Sequence, residues 1–323
     1  MAEISFRDAL RLTLREEMLA DERVILMGED IGAYGGSYAV TKGFQEEFGP
    51  ERIMDTPISE SVIVGCGIGA AMGGLRPMVE LMTINFSLLA FDQIVNNASK
   101  LSYMSGGQIH VPMVIRMASG AGSQLSSQHS HSLEGWYAHI PGLKVAVPYT
   151  PYDARGLLKT AFRDDNPVIF IEHTALYARK GEVPDEEFAI PFGQAEVIRE
   201  GTDVTLIGYS GSVYQCVQAA DLLADEGRAA EVLNLRTLRP LDIETIVASV
   251  RKTHRAVVVE DDWKFGGFAG EIATLIMEQA FDELDAPVAR VCGADVPMPY
   301  AKQLEQAALP QPRGIADAAL GLF

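Results

Sequence analysis

The chain of 323 residues reads as an α/β protein with two largely parallel sheets, on three observations. Short apolar runs bounded by Gly, Pro and polar residues alternate with amphipathic helical stretches along almost the whole length, which is the pattern of strands covered by crossover helices. A content of 48% apolar residues over this length leaves room for two cores. A stretch with Gly181, Pro184, the acidic run Asp185-Glu186-Glu187 and Pro191 interrupts the alternation once. The expected organisation is a first domain over residues 1–175, a linker over 176–192, and a smaller doubly wound domain over 193–323.

The elements follow in order. Ser5 to Asp8 has capping-box spacing, and Phe6, Ala9, Leu10, Thr13 and Leu14 recur at helical period, so residues 5–20 form an amphipathic helix. Val24 to Met27 is a short buried strand, and the glycine-punctuated loop Gly28-Glu29-Asp30-Ile31-Gly32 with Gly35-Gly36 lies at its carboxyl end, a common place for ligand loops and for plain turns. A short helix near 41–48, a strand near Ile53, a Gly-rich helix over 59–74 and a strand over 76–82 come next. Residues 86–103 have helical period and 111–117 form a strand. Residues 119–132, SGAGSQLSSQHSHS, have no apolar period and read as an exposed loop. A strand at 143–147, a helix at 153–163 and a strand at 168–172 complete the first domain. The second alternates strands at 203–208, 230–235, 255–260 and 287–292 with helices at 211–225, 242–251 and 268–281. A Pro-rich tail packs short helices over its surface.

Composition excludes several classes. Acidic residues outnumber basic ones by 44 to 26, the net charge is −18, and no Lys/Arg block interrupts it, so neither nucleic acid nor an anionic membrane is a partner. Cys66, Cys216 and Cys292 lie far apart without CxxC spacing, which reads as reduced thiols in a reducing compartment. With no targeting pattern at the first residues and no apolar stretch of about 20 residues, the expectation is a cytoplasmic protein.

The most informative stretch runs from Asp55 to Phe86. Glu60 stands just before a run rich in Gly and Ala whose hydrophobicity predicts burial. A buried carboxylate is costly, so Glu60 either meets a partner from outside the core or works on a ligand. Glycines 65, 67, 69, 73 and 74 cost a helix about 1 kcal/mol each relative to Ala, which close packing must offset. Gly65-x-Gly67-x-x-Ala70 also matches a loose dinucleotide fingerprint, but no clear strand leads into its first glycine. Asn85 and Phe86 follow the strand 76–82, where ligand sites of α/β sheets occur. In the polar loop, His129 and His131, with His139 nearby, suit either a general acid or base, ordinary surface residues, or a zinc pair lacking a third ligand at regular spacing. No GxSxG, Walker loop, HExxH or paired-cysteine site is present.

Together MGEDIG, RIMDTPISE, ELMTINFSLLAFDQIVNNASKLSYMSGG, QHS, PGLKVAVP, RDDNPVIF, LRPLD and DVPMPYAKQLE carry a resemblance. In this order, and over essentially the whole chain, they resemble the β subunit of the thiamine-diphosphate-dependent decarboxylating component of 2-oxoacid dehydrogenase complexes, with the pyruvate-specific branch closest. The resemblance implies a transketolase-like pyrimidine-binding domain followed by a transketolase C-terminal domain, in an α2β2 heterotetramer. It implies that Glu60 hydrogen-bonds N1′ of the cofactor's aminopyrimidine, so that the ring can take the proton from the thiazolium C2 carbon. Phe86 matches the ring that stacks on the aminopyrimidine, and Met82 a neighbouring contact. His129 matches the histidine that supports reductive acyl transfer to the lipoyl group, here in a QHSH rather than the common QHSQ.

The resemblance also implies a structural potassium ion held by main-chain carbonyls of Met113, Ala161, Phe162, Asp164 and Asn166. The family's pyrophosphate and magnesium motif, GDG, is absent. Mg2+ and half of the thiamine diphosphate would thus belong to an α subunit, and the dihydrolipoyl acyltransferase core with its lipoyl domain would be the further partner. Branched-chain 2-oxoacid and acetoin dehydrogenase β chains are rivals within the class. A nicotinamide-binding oxidoreductase on the Gly65–Ala70 run, and a non-catalytic assembly subunit, are rivals outside it.

Overall fold

A computed structural model describes residues 1–323. The chain divides into two compact units, Met1–Ser119 with Trp136–Phe192, and Gly120–Gly135 with Gly193–Phe323.

The first unit begins with β1 (Ala2–Ser5) and α1 (Phe6–Ala20). Ser5 caps α1 as its spacing predicts, its hydroxyl oxygen accepting from the Asp8 amide at 3.1 Å. There follow β2 (Val24–Gly28), α2 (Phe44–Phe48), β3 (Ile53–Asp55), α3 (Glu60–Met72) and β4 (Arg76–Leu81). After the short α4 (Leu101–Met104) come β5 (Val114–Ser119), α5 (Glu134–Ala138), β6 (Lys144–Ala146), α6 (Pro151–Arg163), β7 (Val168–His173) and β8 (Lys180–Val183). The strands β6-β7-β5-β4-β2-β3 lie side by side and parallel. The central strands β2, β4, β5 and β7 are largely apolar and buried on both faces, as parallel strands covered by helices must be. On one face, α1 and α6 seal a core containing Phe6, Leu10, Leu14, Leu26, Met78 and Phe170.

Two local outcomes differ from the expectations. Residues 86–103 do not form one helix but a 3₁₀ segment (Ile84–Ala90), a π-helical segment (Gln93–Ala98) and then α4. The hydroxyls of Ser87 and Ser99 donate to the carbonyls of Ile84 and Val95, so polar side chains compete with a regular helical ladder here. Ala90, Ile94 and Ala98 are buried at a spacing of four residues, which carries the periodicity, while Leu88, Leu89 and Tyr103 are exposed. In addition, β8 lies within the stretch read as linker and pairs antiparallel with β1.

The dinucleotide reading of Gly65–Ala70 fails on geometry. These residues lie inside α3, not in a turn between strand and helix where backbone amides would face a pyrophosphate. Gly67 serves packing instead: a Cβ there would stand 2.6 Å from Val79 Cγ1 and 3.0 Å from Met113 Cε, so α3 lies directly against β4 and the approach to β5, whereas a Cβ on Gly69 would meet nothing within 4 Å.

The second unit contains β9 (Glu196–Arg199), β10 (Val204–Gly208), α7 (Gly211–Asp225), β11 (Ala230–Asn234), β12 (Thr237–Arg239) and α8 (Ile243–Thr253). It continues with β13 (Ala256–Trp263), α9 (Phe268–Ala280), β14 (Ala289–Gly293), α10 (Lys302–Ala308) and α11 (Pro312–Leu320). Its sheet has the order β14-β13-β10-β11-β9, parallel except for β9 at the edge. The polar segment 120–135 belongs to this unit although it sits early in the sequence. No helix is long and apolar enough to cross a membrane.

Candidate functional site

The carboxyl ends of β2, β3 and β4 lie in register, Gly28 opposite both Asp55 and Glu80. Three loops therefore leave one edge of the parallel sheet together, the edge where ligands bind in this architecture. The loop after β2 carries Glu29, the one after β3 leads to Glu60 at the first turn of α3, and the one after β4 carries Met82 and Phe86. Glu60 is 6% exposed, and no hydrogen bond or ion pair reaches its carboxylate. The N-terminal end of α3 lends it a favourable dipole, but the carboxylate has no donor of its own.

Glu29 stands close enough to feel that charge. Burial pushes its carboxyl above the usual range, and Asp30 and Glu60 add to the shift. The sequence marks this loop by its glycines but does not single out Glu29. Its shape is held by Asp55, whose carboxylate accepts from the Gly32 amide at 2.6 Å, and by the Thr41 hydroxyl, which donates to the Ile31 carbonyl at 2.7 Å. Met82 and Phe86 are half-buried, and α3 packs against the 3₁₀ segment that carries Phe86.

Behind this edge, the Arg116 guanidinium on β5 lies between Glu80 on β4 and Glu172 on β7, all three buried. Burial alone would lower the Arg116 pKa, but the two carboxylates outweigh it and hold the guanidinium well above its ordinary value. Burial pushes the Glu80 carboxyl up, with Arg116 opposing and Glu172 reinforcing the shift. The Tyr177 hydroxyl donates to Glu172 at 2.6 Å, and Tyr38 stacks on the Tyr177 ring at 4.6 Å between centroids.

The carbonyl set expected to hold potassium gathers at the end of α6 and the entries to β5 and β7. The Met113 carbonyl accepts from the Val168 amide at 3.0 Å, and the Ala161 carbonyl from the Asp164 amide at 3.4 Å. The Phe162 and Asp164 carbonyls accept from the Arg76 guanidinium at 2.9 and 3.1 Å. The Ala161 and Phe162 carbonyls lie in the last turn of α6, where neutral oxygens suit a cation, but Arg76 already brings positive charge to the Phe162 and Asp164 carbonyls.

His129 lies in the second unit, half-buried on the segment 120–135. His131 is not a surface histidine: its ring packs edge-on against Trp263 at 5.5 Å, and burial lowers its pKa. It lines a small pocket with Ser130, Asp262, Trp263, Val296 and Met298. The zinc reading of His129, His131 and His139 finds no support, since no three His, Cys, Asp or Glu side chains are grouped to hold a metal. The glutamate that fixes this segment from below, Glu305, has no counterpart among the sequence-based candidates.

A parallel-sheet unit with ligand loops at one edge, joined in one chain to a doubly wound unit with one antiparallel edge strand, defines a transketolase-type protein. Residues 2–180 match the transketolase pyrimidine-binding domain and residues 193–315 the transketolase C-terminal domain. The chain is 49% identical over 321 residues to the mitochondrial pyruvate dehydrogenase E1 component subunit beta of Dictyostelium discoideum, covering 98% of this chain and 90% of that protein. It is 48% identical over 316 residues to the subunit of the same name from Rickettsia felis, covering 98% and 97%. It therefore belongs to the family of pyruvate dehydrogenase E1 component β subunits, within the thiamine-diphosphate-dependent enzymes. A split-gene transketolase, solved as an inactive β4 tetramer, shares the fold with a TM-score of 0.81 at 22% identity, over 99% of this chain and 98% of that one.

Proposed function

We propose that this chain is the β subunit of a pyruvate dehydrogenase, which together with an α subunit in an α2β2 heterotetramer decarboxylates pyruvate and acetylates the lipoyl group of a dihydrolipoyl acyltransferase. The observation that carries the reading is Glu60, a carboxylate buried to 6% exposure without a hydrogen-bond partner, at a sheet edge built for ligands. Such a group fits a cofactor nitrogen that brings its own proton. When bound, thiamine diphosphate supplies the nucleophilic carbon and the electron sink for loss of carbon dioxide. Glu60 would hold a proton at N1′ of the aminopyrimidine, and Phe86 and Met82 would form the wall against that ring. His129 gives a proton to a dithiolane sulfur as acyl transfer opens the lipoyl ring.

The α subunit holds Mg2+ and the diphosphate, since this chain has no GDG motif. The carbonyls of Met113, Ala161, Phe162, Asp164 and Asn166 would hold a potassium ion, which would supply a structural tie there. Three unpaired cysteines suit a reducing compartment, here the cytoplasm.

The test uses the enzyme assembled with an α chain, in potassium buffer. Glu60→Ala should slow hydrogen–deuterium exchange at C2 of the cofactor by roughly 10²- to 10⁴-fold; an unchanged rate refutes the role of Glu60. His129→Ala should lower acetylation of a free lipoyl domain far more than pyruvate-dependent reduction of a dye. Equal losses would place His129 in an earlier step.

A further inference from the structure

The segment that carries His129 is irregular, and its backbone is in the left-handed region at Gly120, Gly122, Gln124 and Ser126, with φ of 84°, 106°, 56° and 65°. Its neck is closed by one main-chain hydrogen bond, from the Gly120 amide to the His131 carbonyl at 3.0 Å. The trailing limb is seated by the His131 ring against Trp263, whose indole N–H donates to the Val296 carbonyl at 3.0 Å.

The leading limb has a different anchor. Glu305 on α10 is 1% exposed, and its carboxylate reaches out of the helix to the segment's main chain. Oε1 accepts from the Gly122 amide and the Gln124 amide, both at 3.0 Å, and Oε2 accepts from the Gln124 amide at 3.2 Å. These two amides are the carboxylate's only hydrogen-bond partners, and no cation pairs with it. Alternate amides converging on one anion form a small anion nest, here filled by a side chain of the same unit. A charge-assisted bond of this kind is about twice as strong as a neutral one.

We infer that Glu305 is a positioning residue for acyl transfer: by clamping Gly122 and Gln124 it fixes the leading limb of the segment and so sets where the His129 imidazole stands. The inference rests on the acyl-transfer role proposed for His129. The physical reason is reach, because a proton donor must lie about 2.6–3.2 Å from its target. A displacement of about 1 Å in such a group costs on the order of 10²-fold.

The experiment compares Glu305→Ala and Glu305→Gln in the assembled α2β2 enzyme, with His129→Ala alongside. Backbone hydrogen exchange over residues 120–135 reads the clamp directly, and lipoyl-domain acetylation against dye reduction reads its consequence. Glu305→Ala should lose exchange protection at Gly122 and Gln124 and lower kcat/KM for the lipoyl domain by roughly 10- to 100-fold, with a much smaller loss in dye reduction. Glu305→Gln should come back to within about threefold, because one amide oxygen can accept from both N–H groups as Oε1 does. Unchanged exchange in Glu305→Ala overturns the clamp, whatever His129→Ala does. A loosened segment with undiminished lipoyl transfer overturns the positioning role. If instead His129→Ala loses both activities equally while Glu305→Ala still loosens the segment, the role of His129 falls and the clamp stands.

Discussion

Two sites, one in each unit, bury carboxylates in opposite ways. In the first, Glu80 and Glu172 share Arg116 across three neighbouring strands, so the charges stay and compensate one another. In the second, Glu260 on β13 is fully buried beside the Ala269 amide, Asp262, the Tyr209 hydroxyl and the Cys292 thiol, none of them cationic. Burial pushes its carboxyl up to about 7, against hydrogen bonds from the Ala269 amide at 2.9 Å and Tyr209 at 3.1 Å. The Arg116 network keeps its charges by pairing them, while burial without a cation favours the protonated form of Glu260. A paired network is damaged most by losing one member, whereas a protonated acid tolerates a neutral replacement.

That contrast is sharpest at Arg116. Arg116→Met should destabilise the first unit by about 3–5 kcal/mol, because two carboxylates are then left buried without their cation. Calorimetry should show a drop in its melting temperature of roughly 10 °C, and a drop below about 2 °C would mean that the network contributes little. The next effect is smaller. Tyr177→Phe removes one hydrogen bond to a charged carboxylate and should cost about 2 kcal/mol, read by the same melt.

The smallest loss is expected at Glu260, where the informative quantity is the sign with pH. A carboxyl whose folded pKa is raised stabilises the fold at low pH and loses that contribution as pH rises through the folded value. Stability of the second unit should therefore fall by up to about 3 kcal/mol between pH 4.5 and 7, the ordinary and shifted values. Asp262, pushed by burial up to about 6, adds to the same slope. Glu260→Gln should be within about 1 kcal/mol of the parent at pH 5 and equal or better at pH 8, since the amide never ionises. A variant that is less stable at pH 8 than at pH 5, relative to the parent, would show that the carboxylate is charged and paired after all.

Much of this was readable from the chain, for definite reasons. The strand Val24–Gly28 is a continuous apolar run and Val204–Gly208 is one but for Thr205, and the α1 and α7 patterns have helical period, so local composition and burial agree. Glu60 was visible because a carboxylate beside a Gly/Ala-rich run contradicts its surroundings. The short edge strands β1, β8 and β9 were not visible, since half-exposed residues carry no apolar period. Glu305 closes the segment DVPMPYAKQLE that carries part of the resemblance, but its role was not legible there. Its partners are main-chain amides at Gly122 and Gln124, which have no side-chain signature, and in sequence it is one polar residue in a short helix. His131 read as loop surface because the indole it packs on comes from a distant strand.

The pairing of β1 with β8 places Ala2 against Val183 and Ser5 against Lys180. On the ribosome, β1 emerges long before β8 and has no partner until the far end of its unit is made. At about 5–20 residues per second, that wait lasts roughly 10–35 s. Contacts of such long sequence separation also form slowly by themselves, because loop closure is unfavourable before the pairing rewards it. The strand AEIS is polar and short, with Glu3 at its centre, so the waiting segment offers little to neighbouring chains. Its last-moment capture by β8 makes completion of the first unit, rather than its start, the point at which the nascent domain locks.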